Sequence, residues 1–197
     1  MGKKVLVLST GMRRNGNFHQ MAQTFAKGAA EAGHEVEQIC LSDKKTECCR
    51  GCQVCQRTKE CVIRDDAADI VQRMKKADVI VFATPIYFYG MCGNMKNLLD
   101  RTYPLYMDDY CFRDIYLLAS AGEDTETTVR GTVEGLNGWI RCFDRARLAD
   151  VIFAGGILEK GGIEGHPALE QAYHAGKKVG MEEMEEKDVC LLSELHI

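Results

Sequence analysis

Two glycine-bearing segments of this chain hold the residue types that bind a nucleotide. One is the N-terminal run Val5-Leu6-Val7-Leu8-Ser9-Thr10-Gly11-Met12-Arg13-Arg14-Asn15-Gly16-Asn17-Phe18. The other is Ala83-Thr84-Pro85-Ile86-Tyr87-Phe88-Tyr89-Gly90-Met91-Cys92-Gly93-Asn94-Met95-Lys96. Each reads as a buried strand that passes into a polar loop and then a helix. In an open parallel sheet such loops gather at the carboxyl ends of the strands, where ligands bind. The first loop suits a phosphate, through free backbone N–H groups at a helix start and through Arg13. Its candidate contacts are Ser9, Gly11, Arg13, Asn15, Gly16, Asn17 and Phe18. The second suits a flat apolar ring. Pro85 stiffens it, Ile86, Tyr87, Phe88 and Tyr89 can wall it, and N–H groups up to Gly90 can bond the ring's polar edge. Ser120, Ala121 and Gly122 close a later strand and can reach the ring's far side. Phosphate plus flat ring points to a mononucleotide, and FMN is the best single ligand. Such a cofactor carries its own redox chemistry, so no side-chain acid or base is required. No catalytic triad is visible, and the five histidines show no ligand spacing.

Between these segments lies Cys49-x2-Cys52-x2-Cys55-x5-Cys61, with Cys48 as a fifth neighbouring thiol. Four readings compete. The thiols are free, or bridged, or they hold a structural zinc, or they hold an iron–sulfur cluster. Bridges fit poorly, because nothing marks the chain as secreted. Zinc usually takes two separated pairs, and these four cysteines are bunched. A bunched C-x2-C-x2-C with a fourth cysteine is closer to iron–sulfur ligation. The candidate metal ligands are therefore Cys49, Cys52, Cys55 and Cys61.

Composition narrows the class. A chain of 197 residues with 46% apolar and 27% charged residues can bury a core as one domain, 1–197. A net charge of −4 with no long basic stretch argues against a nucleic-acid surface. No apolar run approaches membrane-spanning length. The apolar run Val5–Leu8 is too short for a signal peptide, and Leu6 stands where a myristoylation signal wants Ser or Thr. Ten cysteines without an export signal imply a reducing compartment, so a cytoplasmic location is expected.

The elements that must position these groups follow from periodicity. Lys4–Leu8, Val79–Ala83, Asp114–Ala119 and Asp150–Ala154 read as buried strands, and Glu35–Leu41 as an edge strand. Asn17 reads as the N-cap of a helix whose apolar face is Phe18, Met21, Ala22, Phe25, Ala26, Ala29 and Ala30, ended by Gly33. Residues 42–64 form a long loop with the cysteines, inserted after the second strand. Further helices are expected at Asp66–Ala77, Cys92–Tyr103 and Glu126–Phe143, the last weakened by Gly131, Gly135 and Gly138. A final helix opens at Pro167 and runs to about Glu186. Alternating strands and helices mean right-handed crossovers. The expected fold is α/β, a flavodoxin-like three-layer sandwich around a five-stranded parallel sheet of order 2-1-3-4-5.

These residues resemble the NAD(P)H-dependent FMN reductases of the flavodoxin-like superfamily, and especially the iron–sulfur flavoprotein branch. Arg13-Arg14-Asn15-Gly16-Asn17 resembles that family's phosphate loop. Thr84-Pro85-Ile86-Tyr87, with Gly93, Lys96, Asp100 and Arg101, resembles its ring-binding loop and following helix. Cys49-Arg50-Gly51-Cys52-Gln53-Val54-Cys55, then Cys61 and Asp65-Asp66, resembles the branch's cysteine motif. The match covers roughly residues 4–122. It implies bound FMN, NAD(P)H as cosubstrate, a small-molecule or protein electron acceptor, a [4Fe-4S] cluster and a homodimer or homotetramer. Two readings stand beside it: an electron carrier that never uses nicotinamide, and a non-enzymatic zinc or thiol module. The phosphate loop departs from the pattern at two places. Gly11 stands where the family has Ser, and Phe18 where it has Thr, so two phosphate-binding hydroxyls are missing. Ser9 and Thr10 are the nearest hydroxyls that could replace them.

Overall fold

The computed structural model describes residues 2–106 and 108–181. Strand β1 (Lys4–Ser9) is followed by helix α1 (Asn17–Glu31) and edge strand β2 (Glu35–Cys40). The cysteine segment then holds one short helix, α2 (Val54–Thr58), and leads to α3 (Asp66–Lys76). Strand β3 (Val79–Tyr87), the two-residue β4 (Gly90–Met91) and α4 (Gly93–Arg101) come next. The remainder is β5 (Asp114–Ser120), α5 (Glu126–Ile140), β6 (Arg147–Ala154) and α6 (Pro167–Lys178).

The five long strands are parallel and the order is β2-β1-β3-β5-β6, with β4 paired antiparallel to β3 alone. This corrects the expected five-stranded order 2-1-3-4-5 by one added strand. The cause is β3, which does not stop at Ala83. Strand β1 pairs with it only as far as Ser9↔Ala83, while β5 continues to Pro85↔Ser120. Pro85 thus lies beyond the β1 ladder, where β3 has a single long neighbour and a missing N–H is tolerated.

Helices α1 and α6 cover one face of the sheet. Phe25, Met21 and Ala22 of α1 pack there with Ala168 and Ala172 of α6 over Val5, Val7 and Val81. On the other face Ile70 and Met74 of α3, Met95 and Leu98 of α4, and Leu136 of α5 meet Leu6, Leu8 and Phe82. Alternate residues of β1 therefore enter opposite cores, which is why its run is apolar throughout. The glycines of α5 serve packing. A side chain on Gly131 would meet the Tyr89 carbonyl at 2.4 Å, and one on Gly135 would meet the Met91 Cε at 2.9 Å. They let the β3–β4 hairpin lie against the helix. Helix α6 ends at Lys178, short of the expectation, and residues 182–186 lie outside the described residues. Among the described residues no helix is long and apolar enough to cross a membrane.

Candidate functional site at the strand ends

Four loops converge where β1, β3, β5 and β6 end. They enclose a cleft of about 150 Å³. The first loop brings Arg13, Gly16, Asn17 and Phe18, the second Pro85, Ile86 and Tyr87, and the third Ser120, Ala121 and Gly122. The fourth wall is Ile157 and Leu158, after β6, which sequence patterning did not single out. A wider groove of about 440 Å³ adjoins it, sharing Ile86, Ala121, Gly122 and Leu158 and adding Phe88, Tyr89, Glu123 and Thr128.

The N-terminus of α1 faces this cleft without a cap. Gly16, not Asn17, is the N-cap residue, with extended backbone (φ −68°, ψ 167°) and no side-chain bond to the helix. The N–H groups of Asn17 and Phe18 have no acceptor among the described residues. The first turn holds no acidic residue. Such an end carries unsatisfied donors and the positive pole of the helix dipole, which together favour an anion.

The Asn17 side chain has another task. Its Nδ2 donates to the carbonyls of Glu159 (2.9 Å) and Ile157 (3.4 Å), and its Oδ1 accepts from the Gly161 N–H (3.1 Å). Arg13 Nη1 donates to the Leu158 carbonyl at 3.3 Å. The phosphate-loop candidates thereby strap residues 157–161 across the mouth of the cleft. Arg14 is turned away into an ion pair with Asp43 at 2.8 Å. Asn17→Asp puts a carboxylate against two carbonyl oxygens and beside the anion end. We expect FMN affinity to fall roughly tenfold, about 1.4 kcal/mol, in a titration of the flavin-free protein; an unchanged dissociation constant would remove Asn17 from the site.

The candidate replacement hydroxyls point elsewhere. The Thr10 hydroxyl donates to the Ala83 carbonyl (3.1 Å), and the Ser9 hydroxyl pairs with His19 Nδ1 (3.1 Å). Neither lines the cleft. Gly11, Asn15 and Gly90 shape their loops and do not line it either. Beneath the loops, Thr84 Oγ1 donates to Cys92 Sγ at 3.4 Å, and that sulfur lies 3.4 Å from Thr10 Oγ1. Cys92 is the N-cap of α4, so this buried contact ties α4 to both site loops.

The aromatic segment is exposed and bent. Phe88 (φ 51°) and Tyr89 (φ 62°) form the two-residue turn between paired Tyr87 and Gly90. Two left-handed positions in such a turn normally take Asn and Gly, and bulky residues there cost of order 1–3 kcal/mol each. Phe88 is fully solvent-exposed, and Tyr87 is 56% exposed. The Tyr89 hydroxyl donates to the Glu123 carboxylate at 2.9 Å, across the wider groove, and that bond raises the phenol's pKa.

The cysteine loop lies beside α4. Nine cysteines are among the described residues and all are free. The chain turns left-handed at Gly51 (φ 65°) and Gln53 (φ 59°) before entering α2. This buries Cys55 and leaves Cys48, Cys49 and Cys52 exposed. Burial, then the nearby Cys61, Cys49 and Cys52, pushes the Cys55 thiol pKa up, so the other three predicted ligands lie within electrostatic reach of it. Among the described residues no three His, Cys, Asp or Glu side chains are arranged to hold a single metal ion. An all-thiol set on one loop is the donor chemistry that an iron–sulfur cluster takes.

The family described as NADPH-dependent FMN reductase matches residues 3–128. The chain belongs to this family. The matched stretch contains the phosphate loop, the cysteine loop, the hairpin and the β5 loop; the 157–161 strap lies beyond it. An iron-sulfur flavoprotein of Methanocaldococcus jannaschii is 38% identical over 102 residues, which are 52% of this chain and 53% of that protein. The chain thus spans about half the length of that curated relative. An iron-sulfur flavoprotein of Methanosarcina thermophila is 26% identical over 195 residues, covering 98% of this chain and 96% of the other. An NAD(P)H:quinone oxidoreductase from Methanothermobacter marburgensis superposes with a TM-score of 0.67 at 21% identity, covering 91% of this chain and 98% of that one. An FMN-dependent NADH-azoreductase of Bacillus anthracis, solved in complex with FMN, superposes at 0.66 with 14% identity, over 89% of this chain and 99% of that one. These superpositions establish the flavodoxin-like fold.

Proposed function

We propose that this protein is an FMN-dependent oxidoreductase that takes hydride from NAD(P)H and passes electrons to a small acceptor or to an iron–sulfur centre. The observation that carries the reading is the uncapped start of α1. It opens into a cleft whose other walls are the ends of β3, β5 and β6. When bound, FMN supplies the two-electron redox chemistry. The Asn17 and Phe18 N–H groups and Arg13 hold its phosphate. The Pro85–Tyr87 and Ser120–Gly122 backbones flank its ring. The wider groove along Phe88, Tyr89 and Thr128 admits the nicotinamide and then the acceptor, and falls in the usual size range of small-molecule sites, about 300–1,000 Å³. Sharing one open groove implies that the two substrates take turns there, as in ping-pong kinetics. Cys49, Cys52, Cys55 and Cys61 hold a [4Fe-4S] cluster. A homodimer or homotetramer in a reducing compartment completes the proposal.

A second reading starts from the near full-length match to the Methanosarcina thermophila iron-sulfur flavoprotein, whose name gives an iron–sulfur group beside the flavin and no nicotinamide. In it the protein is an electron carrier that does not itself use nicotinamide. One experiment separates the two. Under argon, NADPH or NADH is added to the purified flavin-loaded protein and the flavin absorbance is followed. Bleaching, with ping-pong kinetics toward a quinone, supports the oxidoreductase; no bleaching by either nucleotide leaves the electron carrier.

A further inference from the structure

Among the described residues Arg101 heads the fully buried large side chains. It stands at the end of α4, and its partners all belong to the cysteine segment. Nη1 donates to the Glu47 carbonyl, before the first predicted ligand, at 2.8 Å. Nη2 donates to the Ile63 carbonyl, after the last, at 3.3 Å. The same two nitrogens form a fork on the Asp65 carboxylate, at 2.7 Å to Oδ2 and 2.8 Å to Oδ1. Asp65 also accepts from the N–H groups of Glu47 (2.7 Å) and Ala68 (3.3 Å), so it caps α3 and pins the loop entrance. One guanidinium thus closes both ends of a segment that has few apolar anchors of its own.

The remaining donor, Nε–H, is buried and has no hydrogen-bond partner among the described residues. An unsatisfied buried donor of a charged group is costly, which points to an acceptor that arrives later. Arg101 and Cys61 are adjoining walls of one cavity of about 100 Å³. A thiol is a weak acceptor; a metal-bound thiolate is a strong one.

We infer that Arg101 is the positioning residue of the cysteine centre: its fork shuts the 47–65 loop, and its Nε–H donates to the Cys61 sulfur when that sulfur is a thiolate ligand. The inference rests on the reading that Cys49, Cys52, Cys55 and Cys61 hold a cluster. Hydrogen bonds to ligand sulfurs and nearby positive charge both raise a cluster's reduction potential.

The test uses full-length protein made and kept without oxygen. Arg101→Lys keeps the charge but cannot form the fork. Asp65→Asn keeps Arg101 and an acceptor for α3 while loosening the clamp. In Arg101→Lys, iron affinity should fall roughly 10- to 100-fold with FMN content unchanged. Any cluster retained should show a lower midpoint potential, a reading that simple loss of fold stability does not move. Asp65→Asn should shift the same readings in the same direction. With iron removed, trypsin should cut at Arg50, Arg57 or Lys59 faster in both variants than in the wild type. Full iron content with an unchanged potential in Arg101→Lys overturns the inference while the cluster stands. A wild type without iron removes the cluster reading, and the sulfur bond with it. Equal trypsin cleavage of the iron-free proteins then overturns the clamp as well.

Discussion

Gly11→Ser weakens FMN binding by roughly 30- to 150-fold, or ~2–3 kcal/mol, and adding Phe18→Thr to it restores most of the loss. The substitution places in the loop the hydroxyl that the family resemblance leads one to expect there, so residue type alone predicts tighter binding. The structure predicts the reverse. A Cβ on Gly11 would lie 2.5 Å from Phe18 Cζ and 2.8 Å from Pro85 Cδ. The Phe18 ring has little room to swing clear, because it is buried. Pro85 is rigid by construction. The two departures from the family pattern are therefore one event: the ring fills the space that a serine side chain would take. Replacing both returns small hydroxyl residues to both places. The free energies should be non-additive by ~1–3 kcal/mol, as for residues in direct contact. The measurement is a four-point cycle of FMN dissociation constants with thermal midpoints recorded alongside. Additive losses would mean that the ring and the glycine are independent, and no loss in Gly11→Ser would move the phosphate elsewhere.

Cys55→Ala empties the cysteine loop of iron while the protein keeps its FMN. Cys55 is the buried member of the four, with the other three in its field. A four-iron cluster needs four thiolates, and Cys55 has no adjacent cysteine to stand in. Cys49 has Cys48 beside it, so Cys49→Ala is the weaker test. Iron and acid-labile sulfide, measured on protein never exposed to oxygen, should fall from about four per chain to near zero. Flavin content should hold, because the site loops are anchored through Thr10, Thr84 and Cys92, none of which lies in the cysteine loop. The broad absorbance near 400 nm should vanish and the flavin bands remain. Unchanged iron in Cys55→Ala, or no iron in the wild type, returns these cysteines to the reduced-thiol reading.

Much of the fold was legible because its signals are local. The apolar run at Val5–Leu8 and the three- and four-residue spacing through Phe18, Met21, Phe25 and Ala29 depend on neighbours along the chain. They are found where expected, in β1 and α1. The glycine, proline and aromatic content of the site loops was readable for the same reason. Boundaries decided by partners were not readable. Strand β3 outruns its expected end by four residues and folds back as β4, because β5 continues beside it after β1 has stopped and α5 offers glycines to receive the hairpin.

What this sequence determined by itself was an inventory: which residues lie at the ends of buried strands, which helix start follows a polar, glycine-bearing loop, and where four thiols crowd one loop. What only tertiary structure decided was which groups are already engaged. Asn17 meets Gly161 across 144 positions, and Arg101 meets Glu47 across 54. Ser9 spends its hydroxyl on His19, and Phe18 spends its ring on the space above Gly11. The physical reason is that a side chain's chemistry is set by its type, but its availability is set by what packs against it. Contacts made at such separations leave no periodicity in the sequence for local propensity to reveal.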